Sequence, residues 1–201
     1  MTRYSLAIAM LVVQALCGAA FSAERIVLVA GGTSTEAVPS EEAELNAPFG
    51  IDFDQRGNAF LVELSGGRLL KITKGAIATL GGREEKGNAG DGGPVKDATF
   101  NGMHSLAIGP DGKVYLADTW NNRIRTYDPK SGKIEAFAGT GEKGYSGDGG
   151  PAAKAKFGGI YSVAFDAAGK NIVLADLDNR RVRKIELASG IVSTVAGTGE
   201  K

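Results

Sequence analysis

The strongest constraint on this chain is an internal repeat. Val29-Ala30-Gly31, Thr79-Leu80-Gly81, Phe137-Ala138-Gly139 and Val195-Ala196-Gly197 close four segments, at spacings of 50, 58 and 58 residues. Between these closures the same text returns three times. The first copy carries Ala43-Glu44-Leu45, Pro48-Phe49-Gly50-Ile51, residues 57–63 and Arg68-Leu69-Leu70. The second carries Ala98-Thr99-Phe100, Met103-His104-Ser105-Leu106, residues 112–118 and Arg123-Ile124-Arg125. The third carries Ala155-Lys156-Phe157, Ile160-Tyr161-Ser162-Val163, residues 169–176 and Arg181-Val182-Arg183. The first two copies align without a gap over residues 45–72, and the third needs one extra residue near Asn171. Self-similarity of this kind marks an architecture in which each copy is one supersecondary unit.

Each copy contains four short apolar runs separated by turn residues. In the second copy they fall at 104–108, 113–118, 123–128 and 133–138. The turns between them are Pro110-Asp111-Gly112, Asn121-Asn122 and Ser131-Gly132, residue types that accept positive φ and close tight hairpins. Alternation in residues 113–118 is incomplete, as in an inner strand buried on both faces. Three consecutive hairpins make a four-stranded antiparallel meander. Such a sheet has two apolar faces and must stack against copies of itself, and a ring of stacked sheets is a β-propeller. The expected fold is therefore all-β, with propeller blades at about 45–80, 100–138 and 157–197 and a lone N-terminal outer strand at 25–30.

Asp118-Thr119-Trp120-Asn121-Asn122-Arg123-Ile124 and Asp176-Leu177-Asp178-Asn179-Arg180-Arg181-Val182 resemble the Asp-x-x-Asn-x-Arg-Ile/Val signature of NHL repeats. The loops Gly90-Asp91-Gly92-Gly93-Pro94 and Gly147-Asp148-Gly149-Gly150-Pro151 are similar to those of bacterial secreted NHL-like repeats. The first copy departs from the signature, with Glu63 for the aspartate and Gly66 for the asparagine, and keeps only Arg68. The resemblance implies a propeller fold and says little about chemistry. Glu63, Arg68, Asp118, Asn121, Arg123, Asp176, Asn179 and Arg181 are read as scaffold: an acid ending strand two and an arginine opening strand three would pair and hold the hairpin. Complete propellers have about four to eight blades. Three visible blades therefore imply either a part of a longer ring, six-bladed by expectation, or two chains pairing as a homodimer.

Candidate site residues follow from the same alignment. Phe49, His104 and Tyr161 occupy equivalent positions at the start of strand one, which in a propeller faces the axial channel where ligands bind. Met103-His104-Ser105-Leu106-Ala107 also resembles a stretch of the peptidyl-hydroxyglycine lyases, NHL propellers that hold zinc through histidines. Zinc catalysis needs about three protein ligands, and His104 is the only histidine in the chain. Gluconolactonase-like propellers hold an axial divalent metal with an unrepeated acid set, whereas Glu63, Asp118 and Asp176 recur with the repeat. Asp91 and Asp148 offer one carboxylate per glycine-rich loop, a poor calcium site, and a glycine-permitted turn is the preferred reading. Trp120 and Tyr145 fall in a turn and a loop, as recognition anchors or as covers of the local structure. No cofactor is expected.

The N-terminus reads as an export signal. Arg3 precedes an apolar run at residues 6–20, and small residues surround a cleavage point before residue 24, the order of a secretory leader. Residues 1–23 are therefore expected to be removed, together with Cys17, the single cysteine, leaving a secreted or periplasmic domain, 24–201, without a membrane anchor. The chain holds 23 basic and 23 acidic side chains, so it presents no electrostatic signal for nucleic acid. The functional expectation is a non-catalytic scaffold for a protein, peptide or carbohydrate ligand, with a metal-dependent hydrolase or lyase as the alternative.

Overall fold

The computed structural model describes residues 37–201. The expected signal segment and the lone strand at 25–30 lie outside them. Three antiparallel sheets follow one another along the chain, and each is a meander. The first contains β2 (Pro48–Phe53), β3 (Ala59–Glu63), β4 (Arg68–Thr73) and β5 (Ala76–Gly82), with the two-residue strand β1 (Val38–Pro39) added on the β5 edge. The second contains β6 (Met103–Ile108), β7 (Val114–Asp118), β8 (Arg123–Asp128) and β9 (Lys133–Ala138). The third contains β10 (Ile160–Phe165), β11 (Asn171–Asp176), β12 (Arg181–Glu186) and β13 (Val192–Ala196). The described residues are thus all-β and built of four-stranded blades, β2–β5, β6–β9 and β10–β13.

The turns explain why these segments pair as they do. Gly112 and Gly132 take φ of 78° and 70°, and Asn122 takes 52°; each closes a hairpin through backbone geometry that glycine and asparagine tolerate. The extra residue of the third copy is absorbed in one of these turns. Phe165 pairs with Ile172, whereas Ile108 pairs with Val114, so β10 and β11 keep their faces and only the hairpin lengthens.

Blade stacking produces the core. Alternate residues on one inner strand serve two different interfaces. Phe60 and Val62 of β3 pack with Met103, Leu106, Val114 and Leu116 between the first two blades. Tyr115 and Ala117 of β7 point the other way and pack with Ile160, Val163, Ile172 and Leu174 between the second and third. Short 3₁₀ turns, Val95–Asp97 and Ala152–Lys154, lead into the next blade and bury Val95 and Ala152 in these layers. The first strands β2, β6 and β10 lie side by side across the blade boundaries. Two bonds tie them: the Ile108 N–H donates to the Asp52 carboxylate at 2.8 Å and the Val163 N–H to the Ser105 hydroxyl at 3.2 Å.

Candidate ligand-binding site

A β-bulge sits at the same place in all three blades. In the second, Met103 pairs with Asp118 and Ser105 with Ala117, so His104 is the extra residue. Phe49 is the extra residue between Pro48 and Gly50, and Tyr161 between Ile160 and Ser162. A bulge leaves one residue outside the ladder and re-aims its side chain. Here it re-aims three side chains toward one another. The Phe49 and His104 rings meet at 4.8 Å with an interplanar angle of 71°, and the His104 and Tyr161 rings at 4.4 Å. Trp120, in the β7–β8 turn, adds an edge contact to His104 at 5.5 Å. Lys86 lies 5.2 Å from the Trp120 ring.

Gly50 makes the first of these contacts feasible. A Cβ there would lie 2.9 Å from the Ser105 Cα, so this approach of β2 to β6 is closed to a residue with a side chain. His104 is nearly buried, whereas Phe49 is 57% and Trp120 43% exposed. The His104 Nδ1 lies 2.8 Å from the Gly102 carbonyl. A carbonyl only accepts, so Nδ1 carries the proton, and in the neutral ring Nε2 is left as the acceptor. The row thus offers apolar ring faces and one imidazole lone pair.

The acids of the hairpin signature are not part of this surface. Glu63, Asp118 and Asp176 are fully buried. Asp118 accepts from the Asn101 N–H at 2.8 Å and from Asn121 Nδ2 at 2.8 Å. Asp176 accepts from the Gly158 N–H at 2.6 Å and from Asn179 Nδ2 at 2.9 Å. Each asparagine also reaches a loop carbonyl, Asn121 that of Gly87 and Asn179 that of Gly144, both at 2.7 Å. Burial pushes the Asp118 carboxyl above its ordinary value, against the hydrogen bonds and arginine charges that favour the anion. The first blade reaches the same end with different residues. Glu63 takes the Asn46 N–H at 2.8 Å and grips Arg68 through both oxygens, at 2.6 and 2.7 Å. A Cβ on Gly66 would fall 2.0 Å from Glu63 Oε2. The longer acid therefore fills the space that asparagine takes in the other blades.

The arginine arrangement differs from the expected one. A signature arginine forms a short pair with its acid only as Arg68–Glu63 at 2.6 Å; Arg123 Nε stands 3.6 Å from Asp118. In the third blade Arg183 is the guanidinium at Asp176, at 3.5 Å. Arg181 instead lies over the Tyr145 ring at 3.7 Å and donates to the carbonyls of Asn179 and Thr198. The residue two positions on is the buried one: Arg125 and Arg183 are fully enclosed. Residues two apart share a face of the strand, so what separates them is position along it: the first arginine opens the strand at the rim and the second lies further in, inside the blade stack.

Arg125 and Arg183 hold the glycine-rich loops. Arg125 donates to Asp91 at 2.7 Å and to the Thr99 and Ala89 carbonyls, each at 2.8 Å, and lies 4.8 Å from the Phe100 ring. Arg183 donates to Asp148 at 2.7 Å and to the Ser146 and Lys156 carbonyls at 2.8 and 2.9 Å, and lies 4.7 Å from the Phe157 ring. In the first copy the equivalent residue is Leu70, and no Gly-Asp-Gly-Gly-Pro text precedes the blade. Loop and arginine come and go together.

Neither loop acid fits a calcium ion. Asp91 gives one oxygen to Arg125 and the other to Arg123 at 2.8 Å. Asp148 accepts from Arg183, the Thr194 N–H at 3.0 Å and the Tyr145 hydroxyl at 2.8 Å. Tyr145 is thereby a part of the loop clasp. His104 is ringed by Phe49, Trp120 and Tyr161, none of which suits zinc. Among the described residues no three His, Cys, Asp or Glu side chains gather as a metal site.

The stacked four-stranded blades are those of the β-propeller class, and the hairpin network is similar to that of NHL repeats. The NHL repeat family model matches residues 100–127, the inner part of the second blade. The chain is similar to NHL repeat-containing protein 2 of Gallus gallus, 29% identical over 132 residues that cover 63% of this chain and 18% of that protein. In structure it is similar to an auxiliary nutrient binding protein of Bacteroides thetaiotaomicron, with a TM-score of 0.58 and 21% identity over 73% of this chain and 37% of that one. It is also similar to virginiamycin B lyase of Staphylococcus aureus, with a TM-score of 0.51 and 16% identity over 75% of this chain and 41% of that one. The chain therefore spans less than half of each. At these identities the structural likeness concerns the fold, which serves a binding protein and an enzyme alike.

Two outcomes test the arginine network. Arg125→Ala should lower unfolding free energy by about 3–5 kcal/mol, because it breaks a buried ion pair, and Arg123→Ala by about 1–3 kcal/mol, both read by denaturant melts. Equal losses would contradict the assigned roles. Burial raises the Asp148 carboxyl, but Thr194, Tyr145 and Arg183 outweigh it and hold the group below its ordinary value of 3.8. A carboxyl so depressed adds stability that is present above its unfolded value and lost as the pH falls through the folded one. Asp148→Asn should accordingly cost more stability at pH 7 than at pH 3. The same loss at both would contradict it.

Proposed function

We propose that this chain is a non-catalytic binding scaffold that works outside the cytoplasm, and that its ligand lies along Phe49, His104 and Tyr161 with Trp120 on the flank. The repeated bulge carries the reading. The three blades keep the same strand framework although their residues vary, and each spends a ladder position on turning one ring out of the sheet. The fold does not need Phe49 in water, and exposed aromatic area of this kind is what recognition surfaces use.

The surface suits a ligand that combines a flat apolar face with a hydrogen-bond donor: a protein loop, a short peptide or a sugar. The face lies on the rings and the donor meets His104 Nε2. Binding is favoured over catalysis because Phe49 and Tyr161 stand where a histidine-zinc lyase would need further imidazoles. The acids that a lactonase-like site would use, Glu63, Asp118 and Asp176, are enclosed in the hairpins. The location outside the cytoplasm is supported by the apolar run at residues 6–20 and the small residues after it.

Trp120 is the chain's single tryptophan, so its emission reports on this surface directly. A ligand selected on glycan and peptide arrays with the unmodified chain should shift that emission. Phe49→Ala and Tyr161→Ala should each bind it at least tenfold more weakly, about 1.4 kcal/mol, with their melting unchanged. A ligand held equally well by both variants would place recognition elsewhere, and chemical turnover of the ligand would overturn the non-catalytic reading.

A further inference from the structure

A cleft of about 410 Å³ lies between the first two blades, at the end of the sheets opposite the aromatic row. Its walls are the β2–β3 turn and β4 on one side and the β6–β7 and β8–β9 turns on the other. That volume is in the range of small-molecule sites. Three cations line it, Arg56, Lys71 and Lys130, against two acids, Asp54 and Asp111. The acids are engaged by their own turns. Asp54 accepts the Arg56 and Asn58 N–H groups, each at 2.9 Å, and the Asn58 side-chain amide at 2.8 Å. Asp111 accepts the Lys113 N–H at 3.1 Å and the Tyr115 hydroxyl at 3.2 Å. Among the described residues none of the three cations forms an ion pair. Lys71 acts on Asp54 through space only, and its ammonium stands 5.5 Å from the buried Phe60 ring.

The boundary between the second and third blades shows what the repeat does at this place otherwise. Phe60 pairs with Lys71 and Tyr115 with Thr126, so Thr126 is the equivalent of Lys71. Asp111 is the equivalent of Arg56, and Ala188 that of Lys130 in the matching turn. All three cations are absent there together. Phe165 replaces Ile108 at the end of strand one, and its ring meets Tyr115 at 5.1 Å. Phe137 meets Tyr115 at 5.0 Å, and Leu187, the equivalent of Pro129, packs against the same core. Apolar side chains thus suffice to fill a boundary of this repeat. The first boundary keeps its space and lines it with an excess of positive charge, a field that draws an anion.

We infer that this cleft is a second binding site and that its ligand is a small sugar acid. The carboxylate meets Arg56, Lys71 and Lys130, and the arginine fork can hold it through two parallel bonds. The remaining lone pairs of Asp54 and Asp111 and the Gln55 amide take ring hydroxyls. Ile108, Pro110 and Pro129 give the C–H face of the ring an apolar wall. A bare dianion would be opposed by the two acids, and a neutral sugar would leave the cations unanswered.

Titration calorimetry of the full chain with glucuronate and with galacturonate should show at least one of them binding about tenfold or more tighter than glucose or sulfate, and more weakly as salt rises. The bound acid should shift the backbone amide resonances of Gln55, Gly109 and Gly112 and leave the Trp120 emission unchanged, which separates this site from the aromatic row. Arg56→Asp, Lys71→Thr and Lys130→Ala, combined in one chain, install the residues of the next boundary and should abolish the binding. Lys130→Ala alone, in an exposed turn, should weaken it about tenfold with an unchanged melt. No binding of either acid, equal affinity for glucose or sulfate, shifts centred elsewhere, or full affinity in the Lys130→Ala chain would each overturn the inference.

Discussion

A four-stranded sheet with apolar residues on both faces cannot stand alone in water, and the rest of this structure answers that constraint. Successive residues of one inner strand enter two different cores: Val114 and Leu116 face the first blade, Tyr115 and Ala117 the third. Burial of this kind is worth about 25 cal/mol per Å² of apolar surface, and it is available only between blades. The blade is thus the unit of sequence, while the interface is the unit of stability. The ligand surface inherits this logic. Its rings come from three different blades, so it exists only when the blades are stacked.

Packing alone does not place the long loops. Those before the second and third blades are rich in glycine and bury little of themselves. They are held by a charge taken out of water: Arg125 or Arg183, seated on an aromatic face, spends its donors on one loop acid and two loop carbonyls. A buried guanidinium is tolerated only when its donors are satisfied, so it selects one loop conformation. The 3₁₀ turn that follows each loop then lands where its alanine or valine can seal the blade boundary. The first blade has Leu70 in this position, and no Gly-Asp-Gly-Gly-Pro text precedes it.

Much of this was legible in the sequence. The repeat alignment located all three blades and placed Phe49, His104 and Tyr161 at one equivalent position, and the structure brings those rings together. The bulge that aims them was not legible, because a single unpaired residue leaves no mark on an apolar run of six. The arginine roles were legible only in part, for a related reason: Arg68 pairs with Glu63 as the spacing suggests, whereas Arg125 and Arg183 hold the loops. Local spacing pointed to Arg123 and Arg181, which follow the acid within one turn. The deciding partners are distant: Asp91 lies 34 residues from Arg125, and Asp148 lies 35 from Arg183. A signal was present in the covariation inside the chain, where Arg-x-Arg accompanies Gly-Asp-Gly-Gly-Pro and Arg-x-Leu does not. Likewise Glu63 with Gly66 looked like a weakened signature, and only the geometry shows the longer acid occupying the space of the missing asparagine.

The central claim is that stacked blades bring three bulged residues into one row. The most direct measurement is a set of nuclear Overhauser contacts from the imidazole protons of His104, the only histidine in the chain. The account predicts contacts to the ring protons of Phe49 on one side and of Tyr161 on the other, from residues 55 and 57 positions away. Contacts confined to its own blade, with neither neighbouring ring in reach, would contradict it.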